Sequence, residues 1–431
     1  MTAPLSRWHI LNNELANVLH NGIDGLPDAI AALYSEIAAT FEPELIEFES
    51  FTEAMLRDPE GERAGAVADG EVRVIEGADP RDTLLDAARL LRALEQNAVE
   101  ISHYLESDID NDLETAWRTA DGRHYVVPRI TALTAVDGKP FLRRALLHHR
   151  IIPTQIEGFA VRLHRSTMAA ETRLAELERT MPPRAYGAAL FPGLEVTLAH
   201  PDPDSFTVEG LRGFDAETRI AEHLRAARTA GCSAIIWGEL TMPEASVAQV
   251  RAVLADGALD GHPAYRYLVV GSWHRLVDGR MRNVAQILDG LGEPLFDVLK
   301  WAKFSIGAQR EAIVPGDEVH VLICEDELMV CAICRDFLQS TCDVPYRKLN
   351  VDVAIVPSMV PSIDDVATLR GHAETANVMR VRFGTRTMVV AQPAVPGDGV
   401  DGQLLALPAK PAIADATHVV GAWHVCVLEN S

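Results

Sequence analysis

The sequence predicts a mainly helical domain over residues 1–185 followed by an α/β domain over residues 188–431. Three observations carry this. Before residue 181 the apolar residues recur at helical spacing, as in Leu84, Leu85, Ala88, Leu91 and Leu94. Met181-Pro182-Pro183 and the nearby Gly187 then read as a linker. Beyond it, short apolar runs alternate with amphipathic segments, the signature of strands interleaved with helices. A length of 431 residues fits two domains, each able to bury its own core.

In the first half, Pro27-Asp28 opens an amphipathic helix to about Thr40, Arg81 to Leu105 forms a second, and Val161 to Met181 repeats the pattern. Val72 to Ile75 is strand-like. Asp108, Asp110 and Asp112 alternate as in a calcium loop, but the glycine of its sharp turn and the bidentate glutamate at its end are missing, so they read as a solvated acidic turn. His148-His149-Arg150, after Arg143-Arg144, reads as a helix end whose cations complement the helix dipole. Trp117 and Tyr125 read as core.

In the second half, Gly193–His200 is a strand, Asp215–Ala230 a helix, Cys232–Trp237 a buried strand and Pro243–Ala255 a helix. Tyr265–Trp273 pairs with Asn283–Leu288 across Asp278-Gly279. Val319–Cys324 and Leu328–Ile333 form a hairpin through Glu325-Asp326-Glu327. Val353–Val356 is a buried strand, Ile363–Met379 a helix, and Thr387–Gln392, Gln403–Ala406 and Val419–Leu428 close the sheet.

A net charge of -23 sets a phosphate backbone against the protein's own field, which excludes nucleic acid as a partner. Met1 to Gly22 contains no apolar signal core, and no run of about 18 apolar residues offers a membrane span. The expected setting is the cytoplasm, where Cys232, Cys324, Cys331, Cys334, Cys342 and Cys426 stay reduced. Cys331 and Cys334 form a C-x-x-C, but alternation on a strand sends their side chains to opposite faces and no second pair lies at zinc spacing, so no metal is expected.

Three ionisable residues stand directly at the ends of apolar strands: Glu239 after Ala234-Ile235-Ile236-Trp237-Gly238, Lys300 after Phe296-Asp297-Val298-Leu299, and Cys334 after Val330-Cys331-Ala332-Ile333. Strand ends are rigid and open into loops, which suits a site of fixed geometry. Each alone has a bland account: Glu239 as a helix-loop cap, Lys300 as a snorkelling lysine, Cys334 as a small hydrophobe.

Taken in order, these residues resemble the nitrilase or carbon-nitrogen hydrolase superfamily. Ala332-Ile333-Cys334-Arg335-Asp336 is similar to its nucleophile motif, and Ile235-Ile236-Trp237-Gly238-Glu239-Leu240-Thr241-Met242-Pro243 to the segment around its general base. Gly292 to Lys300 keeps the glycine-to-lysine separation, which favours Lys300 over its alternative Lys303, and Phe304 follows as an aromatic often does. Val269-Val270-Gly271-Ser272, Asn283-Val284-Ala285, Pro315-Gly316-Asp317-Glu318 and Val353-Ala354-Ile355-Val356-Pro357-Ser358 resemble the supporting segments. The chain departs from the pattern at Gly238 where proline is usual, at Val298 for tyrosine and at Gln392 for asparagine.

The resemblance covers about residues 188–428 and implies an αββα four-layer fold with mixed sheets and outer helices. It implies hydrolysis of a non-peptide C–N bond in a small amide, or transfer of its acyl group, through a thioester on Cys334. Glu239 is then the proton carrier, Lys300 and the backbone N–H of Arg335 the oxyanion donors, and Glu311 the second glutamate that orients the lysine. No cofactor is needed, and a homodimer or larger homo-oligomer is implied. Loops near Met242, Trp273, Phe304 and Met359 would shape the substrate pocket. The rival reading is an interaction or regulatory protein whose site has decayed and whose helical half carries the function.

Overall fold

The computed structural model describes residues 6–20, 22–41, 51–56, 62–77, 79–102, 113–129, 132–133, 141–166, 184–257, 265–324, 327–338, 346, 349–360, 366–396, 399–407 and 417–428. Asp108, Asp110, Asp112, Glu325, Asp326 and Cys342 lie outside the described residues. The chain divides into two compact units, Met1–Gln155 and Ile156–Ser431.

In the first unit, helices α1 (Arg7–Leu19), α2 (Leu26–Phe41), α3 (Glu53–Leu56), α4 (Glu62–Ala68) and α5 (Pro80–Ser102) bury a common core built on Leu15, Ile30, Leu33, Leu90, Leu91 and Leu94. Apolar residues at three- and four-residue spacing put these side chains on one face of each helix. Val72–Ile75 is extended but pairs with no strand among the described residues; Asn12 ties its backbone by hydrogen bonds to both the N–H (2.7 Å) and the C=O (3.0 Å) of Val74. Two short helices follow, α6 (Leu113–Trp117) and α7 (Phe141–Arg144), with β1 (His124–Pro128) paired antiparallel to β2 (His149–Pro153). The helix ends at Arg144, and His149-Arg150 begins a strand, because the buried Glu95 accepts the backbone N–H groups of Leu147, His148 and His149 at 2.6–2.8 Å. Three donors to one carboxylate fix an extended segment that a helix would have satisfied internally. Tyr125 is fully buried, whereas Trp117 is half-buried.

The second unit is mixed α/β with three sheets. Its strands are β3 (Gln155–Ile156), β4 (Phe159–Arg165), β5 (Arg184–Ala189), β6 (Glu195–Ala199), β7 (Ser205–Arg212), β8 (Ala234–Trp237), β9 (Tyr267–Val277), β10 (Arg280–Asp289), β11 (Pro294–Leu299), β12 (Ser305–Ile306), β13 (Gln309–Glu311), β14 (Glu318–Cys324), β15 (Glu327–Cys331), β16 (Val353–Val360), β17 (Arg386–Pro393), β18 (Gly402–Leu407), β19 (Thr417–Val419) and β20 (Trp423–Leu428). They form a six-stranded sheet of order β11-β10-β9-β8-β5-β20, an eight-stranded sheet β19-β18-β17-β16-β15-β14-β4-β3, and a four-stranded sheet β12-β13-β7-β6.

The two large sheets share one core, in which Ile236, Val269 and Ile287 meet Leu322, Met329, Ile355 and Val390. Helices α8 (Ala216–Thr229) and α9 (Glu244–Gly257) pack Ile220, Leu224, Val247 and Val250 against the opposite face of the six-stranded sheet through Ile235, Trp237 and Leu268. Further on come α10 (Arg335–Leu338) and α11 (Val366–Phe383).

Two expectations are corrected. Val161–Arg165 belongs to a strand, β4, which pairs in parallel with β14 over Ala160–Arg165; its apolar residues alternate inward at Val161 and Leu163, a period of two that a helical reading overlooks. Val419–Leu428 is two strands in different sheets, because the chain turns at Gly421 (φ 102°), whose N–H donates to Asp401.

Candidate active site

Three strand ends of the second unit converge on one polar cluster. β8 is buried throughout, so the chain leaves the core at Gly238-Glu239, and the turn that follows puts Leu240 at φ 54°. Its N–H donates to Ser272 Oγ (3.1 Å), and the N–H of Glu239 donates to the Ser358 carbonyl (3.2 Å). Glu239 is thereby fixed between β9 and β16.

Gly238 leaves no room for a side chain. A Cβ there would lie 2.9 Å from Gln392 Cβ and 3.2 Å from the Ser358 carbonyl oxygen. Gln392 spends its amide on the Phe191 backbone, accepting from its N–H (2.8 Å) and donating to its C=O (3.2 Å). The departures at Gly238 and Gln392 are therefore neighbours in space, and the small residue accommodates the longer amide's path. Val298 is buried in the core between the large sheets.

Lys300 follows β11. Its N–H donates to Asn283 O (2.9 Å), and its C=O accepts from Gly316 (3.0 Å), a glycine whose Cβ would stand 2.6 Å from the Leu299 oxygen. The Lys300 ammonium, 1% exposed, donates to Glu239 Oε1 (2.7 Å) and Glu311 Oε2 (2.8 Å). Lys303, half-buried, makes none of these bonds among those described. Asn283 Nδ2 bridges Glu239 Oε1 and Glu311 Oε1, both at 3.0 Å.

Glu311 collects four donors: Lys300 and Phe304 N–H (2.9 Å) on one oxygen, Asn283 and His274 Nε2 (2.9 Å) on the other. His274 Nδ1 in turn accepts from the Val208 N–H (2.8 Å), which places a ring proton on Nε2, facing Glu311. Burial acts to raise the Glu311 pKa, but Lys300 and His274 outweigh it and hold the carboxyl well below its usual range. Burial likewise acts to lower that of Lys300, and Glu239 and Glu311 reverse it, leaving a firm ammonium. Glu239 Oε2 accepts only from the Met359 N–H at 3.2 Å among its bonds described, the less occupied of its two oxygens.

Cys334 is the residue after the expected strand end, but β15 stops at Cys331 and Cys334 takes up φ 46°, a left-handed conformation unusual for a residue with a side chain. Strand alternation therefore does not separate Cys331 from Cys334; both border the core between the sheets and both are free thiols. Cys334 N–H donates to Pro357 O (2.9 Å), and its C=O accepts from His372 Nε2 (3.2 Å). Its Sγ accepts from Ser358 Oγ (3.2 Å) and points to the Met359 carbonyl (3.8 Å). Burial and then Glu239 push the thiol pKa up, and Lys300, Ser358 and Met359 pull it back only in part, so the resting sulfur is protonated.

Arg335 opens α10, and the N–H groups of Asp336 and Phe337 that follow donate to the Ile333 and Cys334 carbonyls, both at 3.0 Å. Asp336 beside it accepts the N–H groups of Trp301 (3.2 Å) and Ala302 (2.7 Å), tying the cysteine segment to the lysine loop. Burial raises its pKa well above the usual carboxylate range, so it does this as a neutral acid.

A cavity of about 150 Å³ opens onto Glu239, Lys300 and Glu311. Phe304 and Met359 line it; Met242 and Trp273 are not on its lining, but pack in the same apolar cluster as its Val208, Leu240 and Met359. A β-bulge lies in β9: Trp273 opposes Val284 but Val270 opposes Gln286, with Gly271 at φ 43°, so the later side chains of β9 change sides. The same bulge delivers His274 to Glu311, a role the sequence reading missed, as it missed those of Ser358 and Ser272. Among the described residues no group of three or more His, Cys, Asp or Glu is disposed to hold a metal ion, and no helix is long and apolar enough to cross a membrane.

The chain is similar to solved amidases. An amidase from Nesterenkonia sp. aligns at 14% identity over 57% of this chain and 90% of its own, with a TM-score of 0.40. Cysteine-to-alanine and cysteine-to-serine mutants of the Nesterenkonia AN1 amidase, from the nitrilase superfamily, give TM-scores of 0.39 and 0.41, covering 58% and 59% of this chain and 93% and 94% of theirs, each at 14% identity. No family model matches the chain, and no curated protein matches it.

Proposed function

We propose that the second unit is a cysteine hydrolase of a small amide, built on a four-layer αββα domain. One observation carries the reading: a buried ammonium, Lys300, held between two carboxylates, Glu239 and Glu311, with Cys334 three residues past the end of β15. Buried charges cost several kcal/mol each unless paired, and a purely structural core would place apolar residues there.

Glu239 takes the Cys334 proton on Oε2 as sulfur adds to the amide carbon. Lys300 and the Arg335 N–H receive the carbonyl oxygen as it becomes an oxyanion. Glu239 then gives the proton to the departing amine, the C–N bond breaks, and a thioester remains on Cys334. Water, losing a proton to Glu239, adds to the thioester carbon; the S–C bond breaks, the acid leaves and the proton returns to sulfur. With an amine in place of water the product is a new amide. Glu311, saturated by four donors, keeps Lys300 charged and aimed. The supporting measurement is intact mass of the full chain after exposure to amides. An acyl adduct on Cys334 and its loss in Cys334→Ala are expected; undiminished turnover by Cys334→Ala refutes the scheme.

The second reading, an interaction protein with a decayed site, is favoured by the sealing of Cys334, 1% exposed and not on the cavity lining. Alkylation separates the two: a working site makes Cys334 the fastest thiol to react.

A further inference from the structure

The cavity's apolar side comes from the small sheet. Strands β6 and β7 supply Val196, Leu198, Phe206 and Val208, and β12 supplies Ile306 at the mouth beside Val395. Ile306 and Val395 are 41% and 49% exposed, so the entrance is apolar as well. This hairpin is bound into the site. β13, which carries Glu311, pairs in parallel with β7, placing Glu311 opposite Phe206, and the N–H of Val208 seats His274.

The charged lining is confined to Glu239, Lys300 and Glu311, in which one cation is already shared by two carboxylates. Among the described residues no second cation lines the cavity to receive an acidic substrate. A carboxylate on the substrate would be desolvated against apolar walls and a net negative end, which is costly without a partner.

We infer that the β6–β7 hairpin is the acyl-recognition element of the site and selects primary amides whose acyl group is an uncharged hydrocarbon. This rests on the hydrolase reading for turnover but not for binding. A cavity of about 150 Å³ takes a ligand the size of benzene, so the acyl group filled best has roughly four to six carbons.

The test is calorimetric titration of full-length Cys334→Ala with acetamide, hexanamide and the monoamide of adipic acid, beside turnover of the same amides by the unaltered chain. Each buried methylene strengthens binding about fourfold, so hexanamide is expected to bind on the order of a hundredfold tighter than acetamide. The adipic monoamide, equal in length but charged, is expected to bind far more weakly than hexanamide. Leu198→Arg, at a half-buried position of β6, is expected to reverse that order; Ile306→Arg, at the exposed mouth, makes the same test should the first variant not fold.

Equal affinity for acetamide and hexanamide, tighter binding of the adipic monoamide, or no binding of any amide overturns the inference. Turnover confined to charged amides overturns it too, while leaving the hydrolase reading intact. Tight hexanamide binding with no Cys334-dependent turnover supports the inference and refutes the hydrolase reading instead.

Discussion

At the scale of single residues, the site is organised by how many donors each carboxylate receives. Glu311 has four and is spent, whereas Glu239 keeps a lightly occupied Oε2 beside the Met359 peptide that also contacts Cys334. His274 acts through Glu311 and is a positioning residue. His274→Phe removes one donor and exposes the Val208 N–H to an apolar ring, so kcat is expected to fall about tenfold or more with KM little changed. His274→Gln, which can still donate, is expected to recover a good part of it. Equal losses in both variants would mean that His274 only fills space.

At the scale of elements, the loops after β8 and β11 hold their charged residues because neighbouring segments pin them. Gly238→Ala forces its new methyl against Gln392 and the Ser358 carbonyl, with an expected cost of about 1–3 kcal/mol and a matching loss of activity as Glu239 shifts. Denaturant titration beside steady-state kinetics reads both effects. For α10 the discriminating pair is Asp336→Asn and Asp336→Ala. Because burial keeps Asp336 neutral, the amide can still accept from Trp301 and Ala302 and is expected to cost little. Alanine strands two buried N–H groups, at about 1–3 kcal/mol apiece. A large loss in the asparagine variant would show that the ionised form matters.

For the whole molecule, acid is expected to loosen the second unit through His223. This histidine is buried on α8, where Nδ1 accepts from Trp237 Nε1 (3.2 Å), and burial brings its pKa down to about 4 despite the nearby Ala422 and Leu190 backbone. The unfolded chain binds that proton near pH 6.5, so the stabilisation is complete above 6.5 and is lost as pH falls toward 4, to the extent of about 3 kcal/mol. His223→Gln is expected to flatten the thermal-stability profile in that window; an unchanged slope would assign acid sensitivity elsewhere.

How much was legible follows from the range of the interactions. Much of the strand and helix order from Glu195 to Gln392, though not β7, β12, β13 or α10, could be read because apolar periodicity is a local property of the chain, and so could the places of Glu239 and Lys300 just past apolar strands. The glycine spacing favoured Lys300 over Lys303, and Lys300 is the lysine placed between Glu239 and Glu311. What stayed hidden depends on register and distant partners. The bulge at Gly271 exchanges the sides of Trp273 and His274 and brings His274 into the charged network. The strand Phe159–Arg165 exists because β14, over 150 residues on, offers its edge, and Glu95 makes an extended segment of what reads as a helix end. Sequence by itself thus determined which groups stand at the ends of strands. Only the tertiary structure decided which of them meet, because a one-residue bulge or a remote backbone donor redirects a side chain without altering the local pattern.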